Sequence, residues 1–599
     1  MSSSNSVTAN NISSGIVSRR LFALLLAVGP LLIIASLLHM YDIGSSSEAR
    51  EVHVSRIIYE TSEWVMPLRN GVIPSKPPLA HWITAGLGSL FGGVTPLLSR
   101  SVSALFGAGV IFLTVLLALK CTARSSGQCQ PKNRYIAFGS AVVLSTSYEF
   151  LKLMGDARVD MVFCFFVILA LYAILGAFTS EHTKTRYNFE RKPNFSLFFI
   201  AAGLATLAKG PLGLILPLVI TFVATWYMTS FIVALKMYCK PRWAWLLFLC
   251  IALPWYYMAV LEGSAGFVFK QFIFENFRRF MGGEHITARP FWFYIPSVLR
   301  SAAPWSWIFL LLTGSYFYNA ISAQRSSAYF TTDTTRTRTM LAICFFTGFI
   351  FFSLSSGKRH AYLLPLLPCM SVYVAWHLHE RYERLSQATT GRLLKLLNTL
   401  PLFFIFLSLV LCLALESAKL PWVTQAPIFF ASMTWLQDHS ITMQGILLGL
   451  VALNVVGLLL RRNYFYSLVS WWSALCIFGL VVFGGQGIKN NLKQFRSSAQ
   501  EINSIVAPET RLTVIKLEHD EIFDPLLFYL EREVELDTPQ EVKLVCTRYY
   551  LTREKWFNKL KQQITADKQL MIYGLFTQLH DEYRGRSERK MVLFGCADQ

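Results

Sequence analysis

Long apolar runs recur along almost the whole sequence, and they constrain what this chain can fold into more than any other feature. The first, residues 21–40 (LFALLLAVGPLLIIASLLHM), is long enough to cross a hydrocarbon core of about 30 Å as one helix. Arg19 and Arg20 precede it and no convincing small-residue cleavage site follows, so it reads as an uncleaved signal anchor whose amino end stays in the cytoplasm. Further runs cover roughly residues 97–119, 134–153, 159–178, 194–208, 210–230, 242–262 and 303–320, then 339–355, 360–378, 397–416, 441–461 and 464–484, making about thirteen with the first. A chain that is 54% hydrophobic and only 15% charged carries more apolar surface than a soluble core can use.

Charge placement tests this count. Loops on the cytoplasmic side of membrane proteins collect Lys and Arg. With thirteen spans, the basic residues Lys120, Arg124, Lys132 and Arg134 fall inside, as do Lys184 to Lys192, Lys236 to Arg242, Arg325 to Arg338, Arg381 to Lys395, and Arg461 with Arg462. The net charge of +20 is therefore explained by topology rather than by nucleic-acid binding. Leu79 to Gly93 reaches only about 22 Å as a helix, and counting it as a span would move nearly all those loops outside, so it is expected to lie at the interface or re-enter.

The expected organisation is a disordered cytoplasmic amino terminus (1–20), a helical membrane catalytic domain (21–484) whose first outside loop is 41–96, and an extracytoplasmic domain (485–599). Residues 263–302 form another outside segment. In the tail, β-like RLTVIKL, QLMIYGLF and KMVLFGC surround helix-like DPLLFYLERE, which predicts a small α/β domain. The eleven cysteines show no CxxC and no zinc spacing; Cys546 and Cys596 lie in the tail, where a disulfide is one reading.

Charged residues that apolar patterning does not explain gather in the outside segments. Glu48, Arg50 and Glu51 follow the first span within one turn, readable either as a solvated interfacial helix or as a proton acceptor (Glu48) beside a phosphate ligand (Arg50). PSKPPLAHW stiffens the chain around Lys76 with Pro74, Pro77 and Pro78 and carries His81. GDARVDM sets Asp156, Arg158 and Asp160 at an outer mouth, where a carboxylate near apolar surroundings is a functional hypothesis, although Arg158 and Asp160 can also satisfy each other. Lys209 interrupts ATLAKGPLGLILP, and snorkelling is its alternative reading. SSGKRH crowds Lys358, Arg359 and His360 onto a short outside loop just before Tyr362. The segment FENFRRF adds Glu275, Asn276, Arg278 and Arg279, followed by His285 and PFWFY. Cations beside acids at one membrane face suit a lipid phosphate whose reacting group projects outward, the acids deprotonating a hydroxyl acceptor or holding a divalent ion. No Walker loop, GxGxxG, GxSxG or HExxH occurs.

At these residues the chain resembles membrane glycosyltransferases of the GT-C superfamily, in the bacterial branch related to lipid A aminoarabinose transferase and the protein O-mannosyltransferases. The resemblance rests on EAR followed by EWVMPLRNGVIPSKPPLAHW, then RVDM, LAKGPLGL, FENFRRF with PFWFYIP, and SSGKRHAYLLPLLP, in family order up to about residue 378. It implies a GT-C helical fold and transfer of a sugar from a polyprenyl-phosphate carrier to lipid A, another envelope glycan or a protein, at the outer face of the bacterial inner membrane. A transporter or flippase of a lipid-linked sugar is the alternative. Carried across residue by residue, Arg50, Lys76, Lys209 and Lys358 match basic positions that hold the carrier phosphate, with Arg359 beside them. The pattern has Asp-Glu where this chain has Ser47-Glu48, and Glu-Lys where it has Ser75-Lys76. Both departures remove a carboxylate, so Glu48, Asp160 and Asp156 become the catalytic candidates, and His81, Glu275, Asn276, Arg279, His285 and Tyr362 the substrate-binding ones.

Overall fold

A computed structural model describes residues 21–123, 131–178, 193–268, 289–322, 333–381, 438–460, 463–517, 523–563, 568–576 and 590–598, less a few single positions, together with isolated residues elsewhere. The first apolar run forms α1 (Ala23–Ala35). It is followed by α2 (Ser46–Thr61), α3 (Leu79–Phe91) and α4 (Pro96–Cys121). Thr95 accepts a hydrogen bond from the Leu98 N–H and Pro96 opens the first turn, so α4 begins where capping chemistry dictates. The run at 134–153 is divided into α5 (Pro131–Ser145) and α6 (Tyr148–Gly155), and α7 (Val159–Leu175) starts after a short turn.

The LAKGPLGL segment joins α8 (Phe195–Lys209) to α9 (Leu212–Met228). Gly210 adopts φ +87° at the turn. A Cβ on Gly213 would meet the backbone of Ala205 and Thr206 at 2.2–2.6 Å, so this glycine is what allows the two helices to touch. Beyond them come α10 (Phe231–Cys239), α11 (Arg242–Val268), α12 (Tyr294–Ser301), α13 (Ser306–Ser322) and α14 (Asp333–Leu354). A 3-10 stretch at His360–Leu366 runs on into α15, which ends at Arg381; α16 (Ser440–Leu460) and α17 (Asn463–Asn491) complete the bundle.

Among the described residues five helices have the length and apolarity to cross a membrane, or six if Phe291–Ser301 and Ser306–Ser315, bent by 116°, count as one. Others of the expected runs are shorter: α7, α8 and α9 have 17, 15 and 17 residues. Their reach is about 23–26 Å, and α7 is packed on nearly every side by protein rather than lipid. The expected run at 397–416 lies largely outside the described residues. Leu79 to Gly93 forms the 13-residue α3, whose tip exposes Leu90 and Phe91.

The carboxyl-terminal region is a separate α/β layer with its own core around Val514, Leu526, Leu551 and Leu593. Helix α18 (Phe495–Ile505) leads into β1 (Leu512–Ile515), α19 (Asp524–Leu530), β2 (Val534–Asp537), β3 (Tyr549–Arg553), α20 (Glu554–Gln563), β4 (Lys568–Phe576) and β5 (Met591–Asp598). The strand order is β2-β1-β3-β5-β4. Strand β1 pairs in parallel with β2 and β3, and β5 pairs antiparallel with β3 and β4. Three strands and α19 coincide with the runs read from sequence; β2 and β3, short and mixed in polarity, do not announce themselves. Cys596 is disulfide-bonded, and Cys546 lies outside the described residues.

Candidate active site

Helix α2 leaves the first span and folds back over the bundle, stopping at Ser62, which takes φ +60° and donates its N–H to the Ile58 carbonyl. Its apolar face carries Ala49 and Val52 against Val94 and Ala157. Pro77 and Pro78 stiffen the approach to α3, and the first turn of α3 then presents His81 to α2. The imidazole sits between two side chains of that helix: Nε2 lies 3.1 Å from a Glu51 carboxylate oxygen and Nδ1 lies 3.2 Å from Ser55 Oγ. Burial alone would raise the Glu51 pKa. The His81 hydrogen bond and the charges of His81, Arg50 and Lys76 outweigh it and hold the carboxyl down at about 2. Glu51, Ser55 and His81 line a small, half-open pocket of about 20 Å³ with Thr84, Ser99, Ser103 and Arg158.

Glu48 faces the other way. Only 1% exposed, it accepts a 2.7 Å bond from Arg100 Nε and a 3.3 Å bond from the Ala157 N–H. Arg100 also donates to the carbonyls of Leu38 (3.0 Å) and Tyr41 (2.6 Å) and lies 3.9 Å above the Tyr41 ring. Tyr41 in turn donates to the Gly155 carbonyl at 2.6 Å. The structure therefore encloses Glu48 in a brace joining the end of the first span, α4 and the turn before α7.

Asp156 and Asp160 flank the start of α7. Burial, reinforced by the nearby Glu48 charge, pushes Asp156 up to about 6. Asp160 accepts from two cations at once, Arg158 at 2.9 Å and Lys209 at 2.5 Å, the latter reaching over from the end of α8. Lys209 also lies 5.0 Å from the Phe163 ring and 5.1 Å from the Tyr362 ring. Arg158 thus borders both the Glu51–His81 cavity and the Asp160–Lys209 cluster.

SSGKRH supplies the opposite wall. Arg359 is within electrostatic reach of Asp160, and its carbonyl accepts from Tyr294 OH at 3.3 Å. Lys358 is turned inward: its ammonium donates to the carbonyls of Ser355 and of Arg289, the second at 3.2 Å, close to where α14 ends. Arg50 and Lys76 stand beside Glu51. Glu275, Asn276, Arg279 and His285 lie outside the described residues. Among the described residues no three His, Cys, Asp or Glu side chains converge as a metal site.

The structure brings Glu51, His81, Asp156, Arg158, Asp160, Lys209, Arg359 and Tyr362 to one end of the bundle. Glu51 and Ser55 were not singled out by sequence reasoning as chemical residues. The spacing of Glu51 and Ser55, one helical turn apart, was the available signal, but nothing local tells which residue of another helix they face.

The α/β domain docks on this end. Arg69 in the loop after α2 meets Asp524 at the start of α19 at 2.6 Å, with Lys516 3.9 Å from the same oxygen. Phe528 packs beside Ala49 and Val52 of α2, and Arg56 lies 4.3 Å above its ring. The Ile43 N–H donates to Tyr529 OH at 2.6 Å.

Residues 58–262 match the family described as dolichyl-phosphate-mannose-protein mannosyltransferase. An undecaprenyl phosphate-alpha-4-amino-4-deoxy-L-arabinose arabinosyl transferase of Proteus mirabilis is 23% identical over 451 residues, 74% of this chain and 72% of the relative. A protein with the same activity in its name from Pseudomonas fluorescens is 26% identical over 374 residues, 62% of this chain and 59% of its own length. In fold, the chain is similar to the crystal structure of ArnT from Cupriavidus metallidurans bound to undecaprenyl phosphate: TM-score 0.62, 17% identity, 95% of this chain and 97% of that one. By sequence over much of its length and by fold along nearly all of it, this multi-pass membrane protein is similar to the undecaprenyl phosphate aminoarabinose transferases, and residues 58–262 match the protein mannosyltransferase family.

Proposed function

We propose that this protein moves a sugar from a polyprenyl-phosphate donor to an acceptor at the outer face of the inner membrane. The observation that carries the reading is the pairing of Arg158 and Lys209 across Asp160 at the mouth of the bundle. Asp160 is shared between the two cations, and counted with the neighbouring cations and carboxylates the cluster holds more positive than negative groups, which suits a phosphate. Arg359 adds to it from the SSGKRH loop, Arg50 from α2 and Lys76 from the loop before α3. The relatives named for undecaprenyl-phosphate-linked aminoarabinose support a donor of this class.

Transfer is then displacement at the anomeric carbon. The bond from that carbon to the phosphate oxygen breaks as the acceptor oxygen attacks, and the departing phosphate collects charge that Lys209 and Arg158 stabilise. Asp160 holds both cations in place before the donor arrives, so little reorganisation accompanies the step. Glu48, tied to Arg100, braces the wall, and Lys358 stabilises the SSGKRH loop through the carbonyls it caps.

The outer-face assignment is supported by the alternation of basic loops and by the α/β domain that covers the site, whose Cys596 is disulfide-bonded. Purified protein incubated with undecaprenyl-phosphate aminoarabinose and a membrane extract should release free undecaprenyl phosphate as label enters an acceptor. Movement of intact donor across the bilayer without release would overturn the reading in favour of a flippase.

A further inference from the structure

The family pattern loses its carboxylate at Ser47, and Glu48 is enclosed by Arg100. An acceptor hydroxyl would nevertheless have to give up a proton, and the cavity beside Arg158 contains a group built to take one. His81 Nε2 faces Glu51 at 3.1 Å, so a proton on Nε2 is held by a carboxylate. That leaves the Nδ1 lone pair toward Ser55 Oγ at 3.2 Å, and Ser55 is also 3.0 Å from the Glu51 backbone carbonyl.

This arrangement satisfies both protonation states. With neutral imidazole, Nε2–H donates to Glu51 and the Ser55 hydroxyl donates to Nδ1. With imidazolium, Nδ1–H donates to Ser55 Oγ and the hydroxyl turns to the Glu51 carbonyl. No buried polar atom among these loses its partner in either state, so the ring can change charge with only one hydroxyl rotating.

We propose that His81 accepts the proton of a hydroxyl acceptor, with Glu51 as the residue that positions the ring and Ser55 as the hydroxyl that relays the proton. As the acceptor oxygen bonds to the anomeric carbon, its proton passes to Ser55 Oγ while the Ser55 proton passes to His81 Nδ1. The bond between the anomeric carbon and the phosphate oxygen breaks, and its electron pair leaves with the polyprenyl phosphate. The new imidazolium lies against the Glu51 carboxylate, which is held ionised at about 2. Arg158, on the same cavity wall, connects this proton path to the cations that receive the leaving phosphate. The charged groups around the imidazole are Glu51, Arg50, Lys76 and Arg158.

The proposal rests on the sugar-transfer reading and adds a base to it. Full-length protein in nanodiscs, supplied with undecaprenyl-phosphate aminoarabinose and a membrane extract, allows the test. His81→Gln should lower kcat by about 100-fold or more with the donor KM unchanged, and should change the solvent deuterium isotope effect on kcat. Ser55→Ala and Glu51→Asp should each give a smaller loss in kcat alone, which keeps the test decisive if His81→Gln fails to fold. Wild-type kcat in His81→Gln, or in both Ser55→Ala and Glu51→Asp, overturns the proton path while leaving sugar transfer standing. A wild-type protein that releases no undecaprenyl phosphate overturns the underlying reading, and the path with it.

Discussion

Arg69 and Asp524 stand 455 residues apart in sequence and 2.6 Å apart in space, both almost wholly buried. They fasten the α/β domain to the loop that leads to Lys76. Removing Asp524 takes away the carboxylate that buried Arg69 and Lys516 share, a loss of about 3–5 kcal/mol. Asp524→Ala should therefore lower the thermal-inactivation midpoint of the detergent-solubilised protein, and Asp524→Glu, which keeps a carboxylate for Arg69 and Lys516, should recover part of it. A single variant as stable as wild type would show that the pair is not what holds the domain.

The Glu48–Arg100 brace makes a second prediction about stability. Glu48→Gln takes from buried Arg100 the carboxylate it is bonded to and weakens the hold on the end of the first span, so folded yield should fall by an amount consistent with about 3–5 kcal/mol. Size-exclusion profiles and thermal inactivation would measure it. Arg100→Met, which leaves Glu48 uncompensated, should be at least as damaging.

At the cation cluster the expected loss is catalytic. Lys209→Ala should reduce kcat by about 100- to 1,000-fold, the range for removing one preorganised donor from a developing anion. Asp160→Asn frees Lys209 and Arg158 from their shared anchor and should raise donor KM as well as lower kcat. Release of undecaprenyl phosphate, followed over donor concentration, separates the two effects.

Acid should weaken the outer layer in two stages. Burial, then the charges of Arg69 and Arg56, push His53 down from 6.5 to about 4. The unfolded chain thus binds this proton more readily than the folded one. Its contribution is intact above pH 6.5 and is lost as pH falls toward 4. Glu51, lowered from 4.5 to about 2, contributes stability that is present above pH 4.5 and lost as pH falls toward 2. Asp156, pushed up to about 6, works the other way and gains stability as pH falls below 6, so the test is a difference: between neutral pH and pH 4 the thermal midpoint of wild type should fall relative to that of His53→Gln.

The disulfide at Cys596 gives a test of compartment as well as chemistry. In protein taken from cells under thiol-blocking conditions, Cys596 should resist alkylation until a reductant is added. Alkylation without reductant would place the tail in a reducing compartment.

Much of this fold is legible in the sequence because lipid imposes a simple rule: backbone polar groups must be satisfied within the helix, so spans appear as continuous apolar runs. The short α3 is recognisable from its length together with the placement of the basic loops, and β1, β4 and β5 from their β-like runs. The division of 134–153 into α5 and α6 was not, since an apolar turn beside Ser145, Thr146 and Ser147 looks like an uninterrupted span. At the site, Asp160 and Lys209 stood out because charge interrupts apolar sequence. Glu48 and Glu51 could not be separated, because their difference is one of direction: three residues apart on α2, one turns to Arg100 and the other to His81. Tertiary contacts decide that, and neither partner lies on α2.

The docking of α19 onto α2 also orders the protein's assembly in time. Helix α2 is synthesised long before Asp524, Phe528 and Tyr529, which cover its outer side and are made after the last described membrane helix. While the intervening membrane helices are being made, the wall that carries Glu48 and Glu51 remains an unfinished surface, completed only when the α/β domain has been delivered to the same side.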